Sequence, residues 1–290
     1  MSTINSGEGV DDYAAVRTIR DCLDSISVLK PLTTQPIPVA NRSYLQVVDK
    51  RCPQAETSTT VWHSIAGAIE HTIGVALLVG EPSEDEIWWP GCSPSAIYAA
   101  IRVPQLAASR ALWILRAESA DKSANRALET RYSEQRFMLQ VLEDITESTD
   151  RMNAYSVYDL DAQNLYDRVR SGREELEGLR DLLRTRVPGW RKPTSETEIV
   201  ETAARYRTDY RPDAIGQHAY LMAWRVGSGA AHGYQWPSLI RGLQLLDASE
   251  HRPNAPTVGD MHAVSLAFQA TIALLLKATT SFRRYAQAQR

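Results

Sequence analysis

The sequence predicts an all-α fold, a multi-helix bundle carrying one long additional helical hairpin. Three observations predict it. Apolar residues recur in steps of three and four through most of the chain, which places them on single helical faces. Cap residues, prolines and glycines stand where helices would start and stop. No segment alternates apolar and polar residues as several strands would, and no repeat of fixed period or low-complexity tract is present.

The elements follow in order. From Asp11 to Leu29, Tyr13, Val16, Ile19, Leu23, Ile26 and Leu29 share one face of a helix. Residues 30–60 contain Pro31, Pro36, Pro38 and Pro53 and read as an irregular connection with a short ordered piece at Tyr44 to Val48. The main boundary falls here, so that 1–55 forms an N-terminal helix with its connection and 56–290 the all-α bundle. Val61 to Val79 is apolar on most sides, with Ala66, Gly67, Ala68 and Gly74 leaving room for a neighbouring helix. After a loop at Glu81 to Pro90, Ser93 and Pro94 open a helix that runs to Arg116 and should kink at Pro104.

Asp121 is expected to cap the next helix, with Leu128, Tyr132, Phe137, Leu139 and Leu142 on its buried side. Glu129, Arg131, Glu134 and Arg136 form its wet side. A long helix from Leu160 to Arg186 buries Leu165, Val169, Leu176, Leu179 and Leu183, is interrupted at Gly172, and carries Arg173, Glu174, Glu175 and Arg180 on a solvated face. Ser195 and Glu198 have capping-box spacing for a helix running to Arg207. The chain breaks at Tyr210 to Asp213, and Asp213 caps a helix carried to His232 with Gly233 just past its end. Helices at Trp236 to Leu246 and Gly259 to Ala286 finish the molecule.

Composition excludes several function classes. A formal net charge of −3 and a pI near 6.1 leave no global electrostatic attraction for nucleic acid or membrane surfaces, so any such contact is local. Cys22, Cys52 and Cys92 are odd in number and widely spaced, which argues against a disulfide framework or a thiolate zinc site and fits a reducing compartment. The polar, acidic start from Met1 to Asp12 does not read as a signal peptide, and the cytoplasm is the expected location. The most apolar run, Ala263 to Leu276, is interrupted by Gln269 and is shorter than the roughly 20 residues that cross a bilayer, so it is expected to be a core helix with no membrane association.

Metal and cofactor chemistry find little support. Bundle di-metal sites use Glu-x-x-His, yet the residues three before the six histidines are Thr60, Ala68, Ile215, Gly229, Ala248 and Gly259. His63 and His71 are eight apart and diverge by about 80° on an ideal helix. The run Gly227 to Gly233 lacks the Gly-x-Gly-x-x-Gly spacing and a Gly-Lys-Ser/Thr ending, and follows no strand. Val226 stands where a nucleophile elbow around Ser228 would need glycine. No metal and no cofactor is therefore expected.

One constellation remains. Arg225 and His232 are seven apart, within about 20° of the same face of a helix, and Ser228 lies between them. The stripe continues back to Leu221 and His218. A guanidinium grips a phosphodiester through two parallel bonds, and an imidazole titrates near neutrality as acid or base.

The run Arg225-Val-Gly-Ser-Gly-Ala-Ala-His232 resembles the "Arg, four to six residues, His" pattern of HEPN domains, all-α bundles of toxin–antitoxin, abortive-infection and antiviral defence systems. Tyr220 to Gly233 is also similar to the Tyr...Ser...His-Gly ending of related bacterial helical proteins, whose upstream segment resembles Arg102 to Arg126 here. The likeness extends over Val61 to Leu276. It implies a HEPN-like core and metal-independent RNA cleavage by Arg225 and His232, with Ser228 beside them, in a homodimer or other homo-oligomer. It further implies RNA as substrate and an antitoxin or defence protein as partner. The chain departs from the pattern at Val226, where active members carry a polar residue, and at Gln105, where the related proteins carry glutamate.

Other readings of the same residues stand beside this one. Arg225 can pair with an acidic neighbour, Ser228 can bond back to a carbonyl one turn earlier, and a histidine near a helix C-terminus is favoured by the dipole. The small residues at 227, 229, 230 and 231 then serve close packing in a non-catalytic helical interaction or dimerisation protein. A third reading is a small-ligand pocket lined by Trp113, Trp224 and Trp236.

Overall fold

The computed structural model describes residues 8–79, 94–152, 162–206, 214–232 and 258–288. Among them the chain is an all-α multi-helix bundle with no strand. The helices are α1 (Glu8–Ser27), α2 (Tyr44–Arg51), α3 (Thr57–Val79), α4 (Pro94–Leu115), α5 (Ala120–Met152), α6 (Ala162–Arg186), α7 (Glu196–Tyr206), α8 (Ala214–Ala231) and α9 (Val258–Ala286). The expected cap at Asp213, Gly233 and the helix at Trp236 to Leu246 lie outside the described residues, as do Ser93 and Cys92.

The chain packs as two compact units, each assembled from separated stretches of sequence. The first comprises Met1–Pro38, Val61–Arg116 and Glu196–Ala286. In it α9 packs against α1, α4 and α8, while α4 also packs against α7 and α8. Ile19 and Ile26 of α1, Leu112 of α4, Tyr220 of α8 and Phe268 and Phe282 of α9 are fully buried, which makes this the main hydrophobic core. Trp62 of α3 donates its indole N–H to the Leu32 carbonyl at 3.2 Å and ties α3 to the short 3-10 turn at Lys30–Thr33.

Helix α9 is longer than the apolar run alone suggests. By length and composition, Ala263–Ala286 and Pro53–Leu78 are both apolar enough to cross a membrane. Buried Thr271 and Thr279 of α9 satisfy their hydroxyls on the carbonyls of Ala267 and Leu275, at 2.8 and 2.9 Å, so polar residues enter its packed face without unpaired groups.

The second unit comprises Val39–Thr60, Ala117–Ser195 and Gln287–Arg290. Its centre is the long hairpin of α5 and α6. Contacts run in opposite senses along the two helices: Arg186 bonds Asn125, Glu175 pairs with Arg131, and Gly172 accepts from Gln135. A Cβ at Gly172 would lie 3.4 Å from the side chains of Gln135 and Leu139, so the glycine faces α5. The acidic and basic residues of α6 pair across to α5, as in Arg173 with Glu143 at 2.7 Å, as well as along their own helix.

Several local expectations change. Ser119, not Asp121, caps α5, accepting the Lys122 N–H at 3.2 Å, while Asp121 sits in the first turn and pairs with Arg51 at 2.7 Å. Phe137 is 53% exposed, because it is two residues from buried Leu139 and therefore about 160° round the helix from it. Arg131 is not a wet surface residue: it is half-buried, donating to the Gln54 carbonyl at 2.6 Å and pairing with Glu56 and Glu175. The ordered piece near Tyr44 is a full helix to Arg51, capped by Ser43, whose hydroxyl accepts from Gln46 N–H. Asp49 of α2 in turn caps α3, accepting from the Ser58 N–H at 3.0 Å and its hydroxyl at 2.7 Å.

Cys22 and Cys52 are buried. Burial first, and Asp21 second, push the Cys22 thiol from 9.0 up to about 11. A folded-state value above the unfolded one means that the native protein holds this proton more tightly. Its contribution to stability is therefore full below pH 9 and is lost as pH rises toward 11. In a Cys92→Ser background, a thiol reagent at neutral pH is expected to label neither remaining cysteine in the native state and both after denaturation; rapid native labelling would contradict this burial.

Candidate functional site

Helix α8 carries the Arg225, Ser228 and His232 constellation, and its placement depends on how closely it approaches α4. A Cβ added at Gly227 would lie only 2.7 Å from the backbone carbonyl oxygen of Tyr98 and 3.5 Å from Arg102 Cβ. Glycine is what lets the two helices meet here. An alanine would gain about 1 kcal/mol in helix propensity, against roughly 1–3 kcal/mol for overpacking onto backbone that cannot rotate away. Gly227→Ala is thus expected to lower the melting temperature. Gly67→Ala on α3, where no atom lies within 4 Å of the new methyl, is expected to raise it. Thermal melts of both variants check the contrast, and a stabilised Gly227→Ala would contradict the close approach.

A buried polar triangle fixes the register between the same two helices. Gln105 Nε2 donates to the Tyr220 carbonyl at 2.9 Å, and Ser109 Oγ donates to the Gln105 carbonyl at 2.7 Å. The Tyr220 hydroxyl lies 2.5 Å from Ser109 Oγ and 3.2 Å from that carbonyl. All three residues have no measurable exposure. Gln105 Oε1 is buried without a hydrogen-bond partner. This position, singled out in the sequence for carrying glutamine, is thus part of the scaffold that holds α8.

Trp224, one turn on from Tyr220 on the same side of the helix, adds a further anchor. It is buried beneath the Arg102 guanidinium, 4.8 Å from its ring centroid, and its indole N–H reaches Thr197 Oγ1 of α7 at 3.5 Å. Trp113 is also buried, and Trp236 lies outside the described residues, so the two described tryptophans of the proposed ligand pocket are core residues.

With α8 held on these contacts, its outer face presents the candidate residues. Arg225 has 58% of its side chain exposed and lies 3.6 Å from Glu201 of α7, itself 38% exposed. Ser228 is half-buried, and its carbonyl accepts the His232 N–H at 3.1 Å. That bond carries the helical path one residue beyond Ala231 and leaves His232 exposed at the end. Seven residues of helix separate Arg225 and His232 by about 10 Å along the axis and about 20° around it. The side chain of His218 lies outside the described residues, and Leu221 is half-buried.

Helices α4 and α7 of the same unit also carry a charge cluster that no motif in the sequence signals. Glu196, the first residue of α7, receives Arg102 at 2.7 Å and Arg110 at 3.5 Å, both from α4. The eight-residue spacing of the two arginines places them about 80° apart on α4, and only the position of α7 makes them neighbours of one carboxylate. Among the described residues no group of three or more His, Cys, Asp or Glu side chains is arranged to hold a metal ion. No known protein family, curated protein or solved structure matches the chain.

Proposed function

We propose that the exposed end of α8 is a metal-independent RNA-cleaving site of HEPN-like type, in which Arg225 binds and neutralises the scissile phosphate and His232 moves the proton. The observation that carries this reading is the joint exposure of the two side chains on one face of one helix end. The Arg225 link to Glu201 is long and solvent-exposed, and such a pair contributes less than about 1 kcal/mol, so phosphate can replace it. In the step proposed, the imidazole takes the proton of a ribose 2′-hydroxyl and the 2′-oxygen attacks phosphorus. The bond to the 5′-oxygen breaks, and that oxygen acquires a proton. The guanidinium stabilises the charge gathered on the non-bridging oxygens. Ser228 sits between the two as a secondary contact to phosphate or ribose.

The reading places the protein among cytoplasmic toxin or defence effectors that act as homodimers and are held in check by a partner protein. Purified protein is expected to cleave single-stranded RNA in the presence of EDTA, and its expression to slow cell growth. A specific observation favours a second reading, a non-catalytic helical interaction or dimerisation protein. Phe137, Met138, Val141 and Ile145 form an apolar row on α5, each 41–56% exposed. The same assay separates the two: a folded protein that cleaves no RNA tested supports the second reading and ends the first.

A further inference from the structure

The exposed apolar row on α5 has the pattern of a helix–helix seam. Met138, Val141 and Ile145 follow one another in steps of three and four, Phe137 flanks them, and all four lie within an arc of about 100°. Buried Gln135, Leu139 and Thr146, on the side of α5 that meets α6, are centred about 125° round the helix from the row, so α6 does not cover it. The four half-exposed side chains leave on the order of 350 Å² of apolar surface, in the range of the largest patch on a soluble monomer. Each partner of a stable complex buries about 800 Å², of which about two-thirds is apolar in homodimers, so the row supplies well over half of the apolar area that one copy needs.

The polar residues around the row complement the row itself when it is turned end over end. Glu134 continues the same steps before the row and Ser148 after it, and both are exposed. Asp144 is seven residues from Phe137 and about 20° from it round the helix, on the outer edge of the row. The Arg136 guanidinium is carried to that same edge by stacking on Phe137, 5.0 Å from its ring centroid. Among the described residues no ion pair holds either Arg136 or Asp144. A two-fold axis beside Val141 brings the outer edges of two antiparallel rows together. It sets Arg136 against the second copy's Asp144 on both sides of the axis, Met138 against the second copy's Ile145, and Glu134 against the second copy's Ser148. A parallel copy would instead set Glu134 and Asp144 each against itself.

We propose that the occupant of this row is a second copy of the chain, its α5 antiparallel and centred on Val141, with the pairing of Arg136 and Asp144 fixing orientation and register. The proposal rests on the dimerisation reading only for the row being an interface, and it names what the row meets. Apolar contact supplies the attraction, and the two edge pairs, being exposed, act chiefly by excluding the wrong alignment.

The test is sedimentation equilibrium of the full chain from about 1 to 100 µM in about 50 mM salt, where a dimer with a Kd on the order of 10 µM is expected. Val141→Asp, at a position 56% exposed, is expected to leave the melting temperature unchanged and to weaken association about 100-fold or more, because it sets two like charges at the axis. Arg136→Asp and Asp144→Arg are each expected to weaken self-association about tenfold. A 1:1 mixture of those two proteins is expected to associate again, since every Asp then faces an Arg across the antiparallel pair. A mixture that associates no better than its components overturns the antiparallel alignment. A dimer indifferent to Val141→Asp and to both charge changes removes this surface and leaves dimerisation standing. A wild-type chain that stays monomeric to 100 µM removes both. The expected mixing result in a protein that also cleaves RNA would support the interface and remove only the non-catalytic part of the dimerisation reading.

Discussion

Replacing Tyr220 by alanine is expected to destabilise the protein by about 3–5 kcal/mol, the range for truncating a large buried ring. The ring is among the largest fully buried side chains. Its loss opens a cavity between α4 and α8, the helices that its backbone carbonyl and hydroxyl bridge through Gln105 and Ser109. It also removes the hydroxyl that bonds Ser109 and the Gln105 carbonyl, which keep their bond to each other, a loss of about 0.5–1.5 kcal/mol. The alanine's better helix propensity returns only about 0.5 kcal/mol. Tyr220→Phe separates the two contributions, since it keeps the ring and is expected to lose about 0.5–1.5 kcal/mol. Urea unfolding measures both. A loss below about 1 kcal/mol for the alanine variant would mean that α8 is not anchored where the structure places it.

On the cleavage reading, His232→Ala is expected to lower the rate of RNA cleavage by about 10²–10⁴-fold, the usual contribution of a general acid or base. Arg225→Ala is expected to lower it by about 10²–10³-fold, the loss seen when one donor to the developing charge is removed. Arg225→Lys keeps the charge but not the two-pronged grip and should recover only part of the rate. Stability should barely change in any of them. Arg225 is mostly exposed and its pairing with Glu201 is loose, while a histidine at a helix C-terminus contributes about 0.3–1 kcal/mol through the dipole. Single-turnover cleavage in EDTA, with melting curves of the same preparations, checks this split. A large fall in melting temperature with unchanged cleavage is what the purely structural reading of these residues predicts instead.

Much of the fold was legible in the sequence because helical periodicity and capping are local. Ser195 and Glu198 marked the start of α7 within a residue, and Pro94 the start of α4. The assignments that failed were those in which a local signal met a competing neighbour. Asp121 looks like a cap, but Ser119 two residues earlier takes that position and frees Asp121 to pair with Arg51, seventy residues away. Phe137, grouped with the apolar residues of the buried side, is turned outward by the angle it makes with Leu139.

The candidate residues on α8 were legible from spacing, since seven residues bring two side chains to one face whatever surrounds them. Their setting was not legible. Nothing local indicates that Glu201 reaches Arg225 or that Glu196 lies between Arg102 and Arg110, because those pairings are made by the packing of α7. Gly227 illustrates both sides of this. The glycine-rich run suggested close packing, but only the tertiary structure shows that the neighbour is the Tyr98 carbonyl.

The central claim, that Arg225 and His232 cleave RNA without a metal, is tested most directly by the ends of the products formed in EDTA. Attack by the 2′-oxygen predicts fragments ending in a 2′,3′-cyclic phosphate and beginning with a 5′-hydroxyl, with no cut beside a 2′-deoxy position and cleavage by the His232→Ala protein slowed about 10²–10⁴-fold. Fragments carrying 5′-phosphates, cuts that persist at 2′-deoxy sites, or undiminished cleavage by His232→Ala would contradict it.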